Sequence, residues 1–163
     1  GRAAVVLPDG TLFGEGVKTR LKEELLTKCN LHTIVRLPNG VFNPYTGIPT
    51  NLLFFEKGSP TKEIWYFEHP YPAGQKSYSK SRPMKYEEFD LERRWWGSRK
   101  ENEYSWKVSI EELAKRNFNI DVRNPNEVNE ANLPSSKDLI NELKENQVKI
   151  DTLLVELTEL MRR

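Results

Sequence analysis

The sequence has little of several features that would mark a particular class of protein. Its 163 residues contain one cysteine, two histidines and no long apolar run. The single cysteine, Cys29, excludes an internal disulfide framework and fits a reducing compartment, so we expect a cytoplasmic location. No run of about 18 apolar residues and no basic segment leading into an apolar one is present, which argues against a membrane span and against secretion. The few histidine and cysteine residues do not have zinc-site spacing, and we expect no metal.

An excess of one charge is also missing. The 25 basic and 24 acidic residues leave a net charge of +1, and the mean hydropathy is −0.70. This balance does not select a class of partner, and it disfavours a domain that binds nucleic acid by charge alone. The length and the 37% hydrophobic content fit one domain, or one domain with an appendage.

Strands and a helix alternate in residues 1–70. The apolar run at 3–7 predicts a strand buried on both faces, and Pro8-Asp9-Gly10 forms the turn that closes it. Apolar residues at helical spacing predict an amphipathic helix over Val17–Lys28. The apolar face of this helix contains Val17, Leu21, Leu25 and Leu26. Three more strands are predicted at residues 31–37, 51–56 and 63–68. This order is typical of an α/β sheet. Because a doubly buried strand needs neighbours on both sides, we expect the chain to be part of a larger protein.

Residues 71–132 are predicted to form a mostly irregular extension that is rich in aromatic and basic residues. Frequent prolines and glycines interrupt it. Aromatic side chains are expected to pack the extension onto the sheet, namely Tyr78, Tyr86, Phe89, Trp95 and Trp96. Ser109 and Glu112 have capping-box spacing and predict the start of a short helix.

Residues 133–163 predict a helix with a regular apolar seam. Seam residues alternate by four and three positions, which is the heptad spacing of a coiled coil. The seam consists of Leu139, Leu143, Asn146, Ile150, Leu153, Leu157 and Leu160. Asn146 is its one polar member, of the kind that fixes register. The pattern favours a partner helix, and a helix lying on its own domain is the alternative.

The sequence contains no complete catalytic motif. Gly14-Glu15-Gly16 precedes a helix but lacks the third glycine and the lysine of a phosphate-binding loop. Asn43-Pro44-Tyr45 lacks one proline of the Asn-Pro-Pro-Tyr/Phe motif of amino-methyltransferases and lies in the wrong context for it. Phe42 lies in a loop at the carboxyl end of a strand, where α/β sheets bind ligands. A ring packed under its own loop explains Phe42 equally well.

Three sequence runs resemble the methylation (M) subunit of type I restriction–modification systems. They are GRAAVVLPDGTLF at 1–13, CNLHTIVRLPNGVF at 29–42 and GIPTNLLFFEKG at 47–58. The resemblance implies the C-terminal part of a Rossmann-like sheet of an S-adenosylmethionine-dependent methyltransferase, followed by the irregular region and a coiled-coil-type helix. It also implies that the first three strands are the last three of that sheet, with an antiparallel final pair.

The family methylates adenine N6 in DNA, so the resemblance implies this activity for the parent protein. The glycine-rich cofactor loop and the Asn-Pro-Pro-Phe/Tyr motif are absent from this sequence. We therefore expect both to precede Gly1, no catalytic residue in this chain, and an inactive fragment. Phe42 is expected to contact the flipped-out adenine, and Pro8, Asp9 and Gly10 to form the rim of the active site.

The resemblance also implies partners. The C-terminal helix, with its seam residues Leu143 to Leu160, is expected to bind the specificity subunit and, through it, the restriction subunit. DNA is the expected substrate, and exposed sheet edges predict self-association of a fragment. The alternative is a freestanding interaction module that recruits a partner through the same helix.

Overall fold

The computed structural model describes residues 1–126 and the helix at 136–160, with the side chains of that helix between 140 and 154. Its contacts divide the chain into two compact units, Gly1–Glu127 and Val128–Arg163. The first unit contains a five-stranded sheet and the second contains one long helix.

The sheet of the first unit combines parallel and antiparallel neighbours. Its strands are β1 (Arg2–Pro8), β2 (Cys29–Arg36), β3 (Thr50–Lys57), β4 (Glu63–Glu68) and β5 (Ser105–Ser109). Their order in the sheet is β1-β3-β2-β4-β5. Strand β3 is antiparallel to both β1 and β2, β2 is parallel to β4, and β5 is antiparallel to β4. The carboxyl ends of β1, β2 and β4 therefore meet at one edge of the sheet.

The antiparallel pairing of the second and third strands confirms one prediction. The expectation that the first three strands end the sheet is wrong, because β4 and β5 extend it beyond β2. Strand β1 also differs from its prediction of burial on both faces. It pairs only with β3 in the described part of the chain, and Val5 and Val6 are 37% and 52% exposed.

The helices of the first unit are α1 (Gly10–Phe13), α2 (Val17–Lys28), α3 (Asp90–Trp96) and α4 (Ile110–Lys115), and a 3₁₀ turn covers Tyr86–Phe89. Helix α2 has the predicted bounds. The predicted cap of α4 is confirmed, since the Ser109 hydroxyl accepts a hydrogen bond from the Glu112 N–H at 3.3 Å. Helix α3 and strand β5 lie in the stretch that was predicted to be irregular. Both are short, and their packing on the sheet outweighs the weak local pattern.

The buried face of α2 differs from the predicted one. Leu26 is buried as predicted, whereas Val17 and Leu21 are 74% and 61% exposed. Lys22 is buried instead, and its ammonium group donates to the carbonyls of Leu12 at 2.8 Å and Gly14 at 3.0 Å. The lysine thus satisfies carbonyls at the end of the short helix α1, which have no partner within that helix.

Apolar side chains cover both faces of the sheet. The larger cluster lies between the sheet and helices α2 and α4, and in it the rings of Tyr66 and Trp106 stack with their centroids 5.3 Å apart. On the other face, Phe67 and Trp95 form a smaller cluster with Phe89 packed against it. Tyr78 is also buried, but Tyr86 is 69% exposed, so its predicted packing on the sheet is wrong.

The second unit contains α5 (Ser136–Leu160), a helix of 25 residues. The seam residues Leu143, Ile150 and Leu153 are at least half exposed, and Asn146 is exposed too. The predicted cap Ser135 and the side chains of Leu139, Leu157 and Leu160 lie outside the described residues. None of the described helices is long and apolar enough to span a membrane.

Candidate functional site

A cleft of about 460 Å³ lies where the parallel strands end. Asp9 follows β1, Arg36 ends β2, and Glu68 and His69 lie at the end of β4. Prolines and polar or aromatic side chains also line the cleft, namely Pro38, Asn39, Pro49, Pro70 and Tyr71. The carboxyl edge of parallel strands is where open α/β sheets bind ligands, so this cleft is the candidate site.

Arg36 connects the edge of the cleft to residues 121–122 by hydrogen bonds. Its guanidinium donates to the Asp121 carboxylate at 2.8 Å and to the Val122 carbonyl at 2.9 Å, and it lies 3.7 Å from the Asp9 carboxylate. Asn51 also donates to Asp9, at 2.6 Å. Side chains from the ends of β1 and β2 and the start of β3 are thereby held in one network with residues 121–122.

A histidine–carboxylate pair lies beside the cleft. His69 lines the cleft and is 3% exposed, and its Nδ1 shares a hydrogen bond with the Glu92 carboxylate of α3. The second carboxylate oxygen of Glu92 is buried and has no hydrogen-bond partner in the described part of the chain. The pair holds the imidazole ring in a fixed orientation at the cleft wall.

The loop between β2 and β3 folds over residues that follow β4. Gly40 has a φ of +82°, and a Cβ there would lie 2.9 Å from the Tyr78 carbonyl oxygen. The Asn43 side chain donates to that same oxygen at 3.0 Å. Asn43 therefore anchors the loop, and that Asn43-Pro44-Tyr45 is no catalytic motif stays a prediction.

Of the four predicted site residues, one lines the cleft. Asp9 lines it, whereas Pro8 ends β1 in register with Thr50, and Gly10 begins α1. Phe42 lies on the β2–β3 loop, is 39% exposed, and is not among the residues that line the cleft. The roles predicted for these four residues stay predictions.

Three residues at the cleft were not predicted from the sequence: Arg36, His69 and Glu92. His69 directly follows a strand, and this position could have marked it as a site residue. Its partner Glu92 lies 23 positions away, on a helix that the sequence does not predict. The described residues contain no group of three or more histidine, cysteine, aspartate or glutamate side chains that could hold a metal ion.

The sheet and its carboxyl-edge cleft define a mixed α/β domain of the methyltransferase type, since solved methyltransferase subunits share the fold. A modification subunit of a type I restriction enzyme from Vibrio vulnificus YJ016 aligns over 77% of this chain and 28% of its own, with 50% identity and a TM-score of 0.73. A chain from a structure on complex assembly and conformational transition of the type I R-M system aligns over 99% of this chain and 36% of its own, with 40% identity and a TM-score of 0.73.

Sequence comparison identifies the family. The family model for N-6 DNA methylase matches residues 1–132, and the chain therefore belongs to the N-6 DNA methylase family. It is 67% identical over 132 residues to the methylase subunit of the type I restriction enzyme EcoEI of Escherichia coli. That alignment covers 77% of this chain and 27% of the EcoEI subunit, so the chain spans about a quarter of the length of this relative.

Proposed function

We propose that this chain forms the C-terminal part of the modification subunit of a type I restriction–modification enzyme. The enzyme transfers a methyl group from S-adenosylmethionine to adenine N6 in DNA. The observation that carries the proposal is the cleft at the carboxyl ends of β1, β2 and β4, in a chain whose first 132 residues match the N-6 DNA methylase model. Such an edge is where a sheet of this type binds its ligands.

Phe42 is the proposed contact to the target base. A base that leaves the DNA stack exposes both of its faces, and an aromatic side chain stacks on one of them. Two features support this role: the ring is 39% exposed, and the loop that carries it is anchored by Asn43 and by the tight turn at Gly40. Asp9 is proposed to contribute to the rim, with Pro8 and Gly10 holding its backbone.

The first test replaces Phe42 by alanine in a modification subunit that contains this chain, assembled with its specificity subunit. We expect the single-turnover rate of adenine methylation to fall roughly tenfold, because stacking of one base on an aromatic ring stabilises by about 1–3 kcal/mol. Affinity for S-adenosylmethionine should stay unchanged, as measured by calorimetry.

The matched control is Tyr45→Ala. Tyr45 lies three residues further along the same loop and is 92% exposed. This variant should methylate at the normal rate. An unchanged rate for Phe42→Ala, or an equal loss in both variants, would remove Phe42 from the target-base site.

The residues present do not fit an S-adenosylmethionine site of their own. Neither the glycine-rich cofactor loop nor the Asn-Pro-Pro-Phe/Tyr motif occurs in the sequence. In this proposal the cofactor is held by parts of the subunit that this chain does not contain. The chain alone is then inactive, and its own contribution is to shape the base-binding side of the cleft.

Helix α5 is the proposed contact to the specificity subunit and, through it, to the restriction subunit. Leu143, Ile150 and Leu153 are exposed at coiled-coil spacing, and exposed apolar side chains in such a row gain stability by packing against a second helix. The same row supports the alternative proposal of a freestanding interaction module. Binding of S-adenosylmethionine by the chain alone would contradict the first proposal but not the second.

A further inference from the structure

A second cavity, of about 500 Å³, lies at the opposite edge of the sheet. It is formed by the first residues of β2 and β4 and by the turn that joins β3 to β4. The side chains that give it its chemistry are those of Asn30, His32, Ser59, Lys62, Trp65 and Arg99. Its lining is separate from that of the carboxyl-edge cleft, with which it shares no residue.

Arg99 supplies a positive charge at this cavity. Its guanidinium lies over the ring of Trp96, 4.8 Å from the centroid, and 5.5 Å from that of Trp95. The guanidinium donates to the His32 carbonyl at 3.3 Å and lies 3.4 Å from the His32 Nδ1. No carboxylate of the described residues lies within ion-pair distance of Arg99. A guanidinium has five N–H groups, so several remain available to an acceptor in the cavity.

The His32 ring lines the cavity beside Arg99. Its Nδ1 lies 2.8 Å from the Thr33 hydroxyl oxygen and 3.4 Å from the Arg99 guanidinium. Burial, and then the charge of Arg99, lower the pKa of His32, which favours the neutral ring.

The carboxylate in the lining, Glu63, is matched by a neighbouring cation. Lys107 lies 3.3 Å from its carboxylate and also lies over the Trp65 ring. Lys62 is exposed at the mouth and has no carboxylate within ion-pair distance in the described part of the chain. Arg99 and Lys62 therefore leave the cavity with an excess of positive charge and of N–H donors.

We propose that this cavity binds an oxyanion of the phosphate type, held by Arg99 and Lys62, with His32 in the lining beside Arg99. Arginine forms paired, charge-assisted hydrogen bonds to phosphate oxygens, and the contacts of Arg99 with the Trp96 and Trp95 rings restrict the position of its guanidinium in advance. The phosphate belongs either to the backbone of a nucleic acid or to a free phosphorylated molecule. This inference does not depend on the proposed methyltransferase function.

The experiment titrates the 163-residue chain with inorganic pyrophosphate at low salt. Tryptophan fluorescence follows binding, because Arg99 lies over two indole rings, and NMR follows the His32 imidazole. We expect saturable binding with a shift of the His32 signals. Arg99→Gln should weaken binding about tenfold or more, as expected for a lost hydrogen bond between charged groups.

Lys62→Gln tests the site without disturbing the core, because Lys62 is exposed. It should weaken binding several-fold by removing one of the two unpaired charges. The matched control is Arg93→Gln, since Arg93 is exposed and pairs with Asp90 on α3, outside this cavity. Its affinity for pyrophosphate should be unchanged.

A second titration with a short DNA duplex separates the two sources of phosphate. Much tighter binding of DNA than of pyrophosphate, lost in Arg99→Gln and steeply dependent on salt, would assign a nucleic-acid backbone. Comparable binding of both would assign a free phosphorylated molecule. The proposal is overturned if pyrophosphate gives no saturable signal, or if Arg99→Gln and Lys62→Gln bind as tightly as the unaltered chain. If Arg99→Gln fails to fold, Lys62→Gln and the His32 signals decide.

Discussion

Replacing Arg36 by methionine tests whether the network at the cleft edge stabilises the first unit. The Arg36 side chain is 16% exposed, and those of Asp9 and Asp121 are 25% and 26% exposed. The substitution removes a charged hydrogen bond to Asp121 and another to the Val122 carbonyl, and leaves two poorly solvated carboxylates without a cation. Methionine keeps much of the apolar volume of the arginine side chain.

We expect the free energy of unfolding to fall by about 3 kcal/mol. Hydrogen bonds to charged groups contribute about 1.5–3 kcal/mol each, and an ion pair broken on one side costs up to about 5 kcal/mol when fully buried. Both carboxylates keep some contact with water, so we expect a cost below that of breaking a fully buried ion pair. Urea denaturation followed by tryptophan fluorescence measures it.

Two further variants make the measurement specific. Arg93→Met removes an ion pair whose side chains are 59% and 49% exposed, and should cost no more than about 0.5 kcal/mol. A double-mutant cycle of Arg36→Met with Asp121→Asn should give a coupling energy of about 1–2 kcal/mol. A loss below about 1 kcal/mol for Arg36→Met, or a cycle without coupling, would refute this account of the network.

Three other predictions follow from the structure. Burial and Arg99 lower the pKa of His32 below its ordinary 6.5, so the stability that His32 contributes is present above that pH and is lost as the pH falls. His32→Gln should therefore flatten the decline in unfolding free energy between about pH 7 and about pH 5, and an unchanged slope would contradict this. Calorimetry of the 163-residue chain with S-adenosylmethionine should give no binding heat, whereas micromolar affinity would show that the chain holds a cofactor site. Ile150→Asp with Leu153→Asp should abolish copurification with the specificity subunit, while Lys144→Asp, a change on the same helix outside the seam, should not. Survival of the complex with the seam changed would contradict the proposed contact.

Local signals in the sequence predicted local structure well. Helix α2 has its predicted bounds, and the Ser109 cap depends on residues only three positions apart. Burial was harder to predict, because it depends on which neighbours a segment acquires. Strand β1 has the apolar composition of a central strand but one neighbour in the described chain, and the position of Lys22 depends on carbonyls of a different helix.

The sequence predicted where the candidate site lies, but not which residues form it. Strand ends that point in the same direction meet at one edge, so Asp9 and the β2–β3 loop were expected there. Arg36 and Asp121 are 85 positions apart, and no local pattern connects them. His69 and Glu92 meet only because α3 packs on the sheet, and α3 has too short an apolar pattern to be recognised.

The position of β3 between β1 and β2 sets the order in which the sheet can form during synthesis. A ribosome adds residues at about 5–20 per second, and β1, α2 and β2 are complete before the first residue of β3 exists. The strands β1 and β2 are not hydrogen-bonded neighbours, so neither can use the other as a partner while β3 is missing. The nascent chain therefore carries the apolar strand β2 without β3 or β4, its two hydrogen-bonded neighbours, until Lys57 has left the exit tunnel, and a pause in translation before that point lengthens the interval in which β2 is open to aggregation or to chaperones.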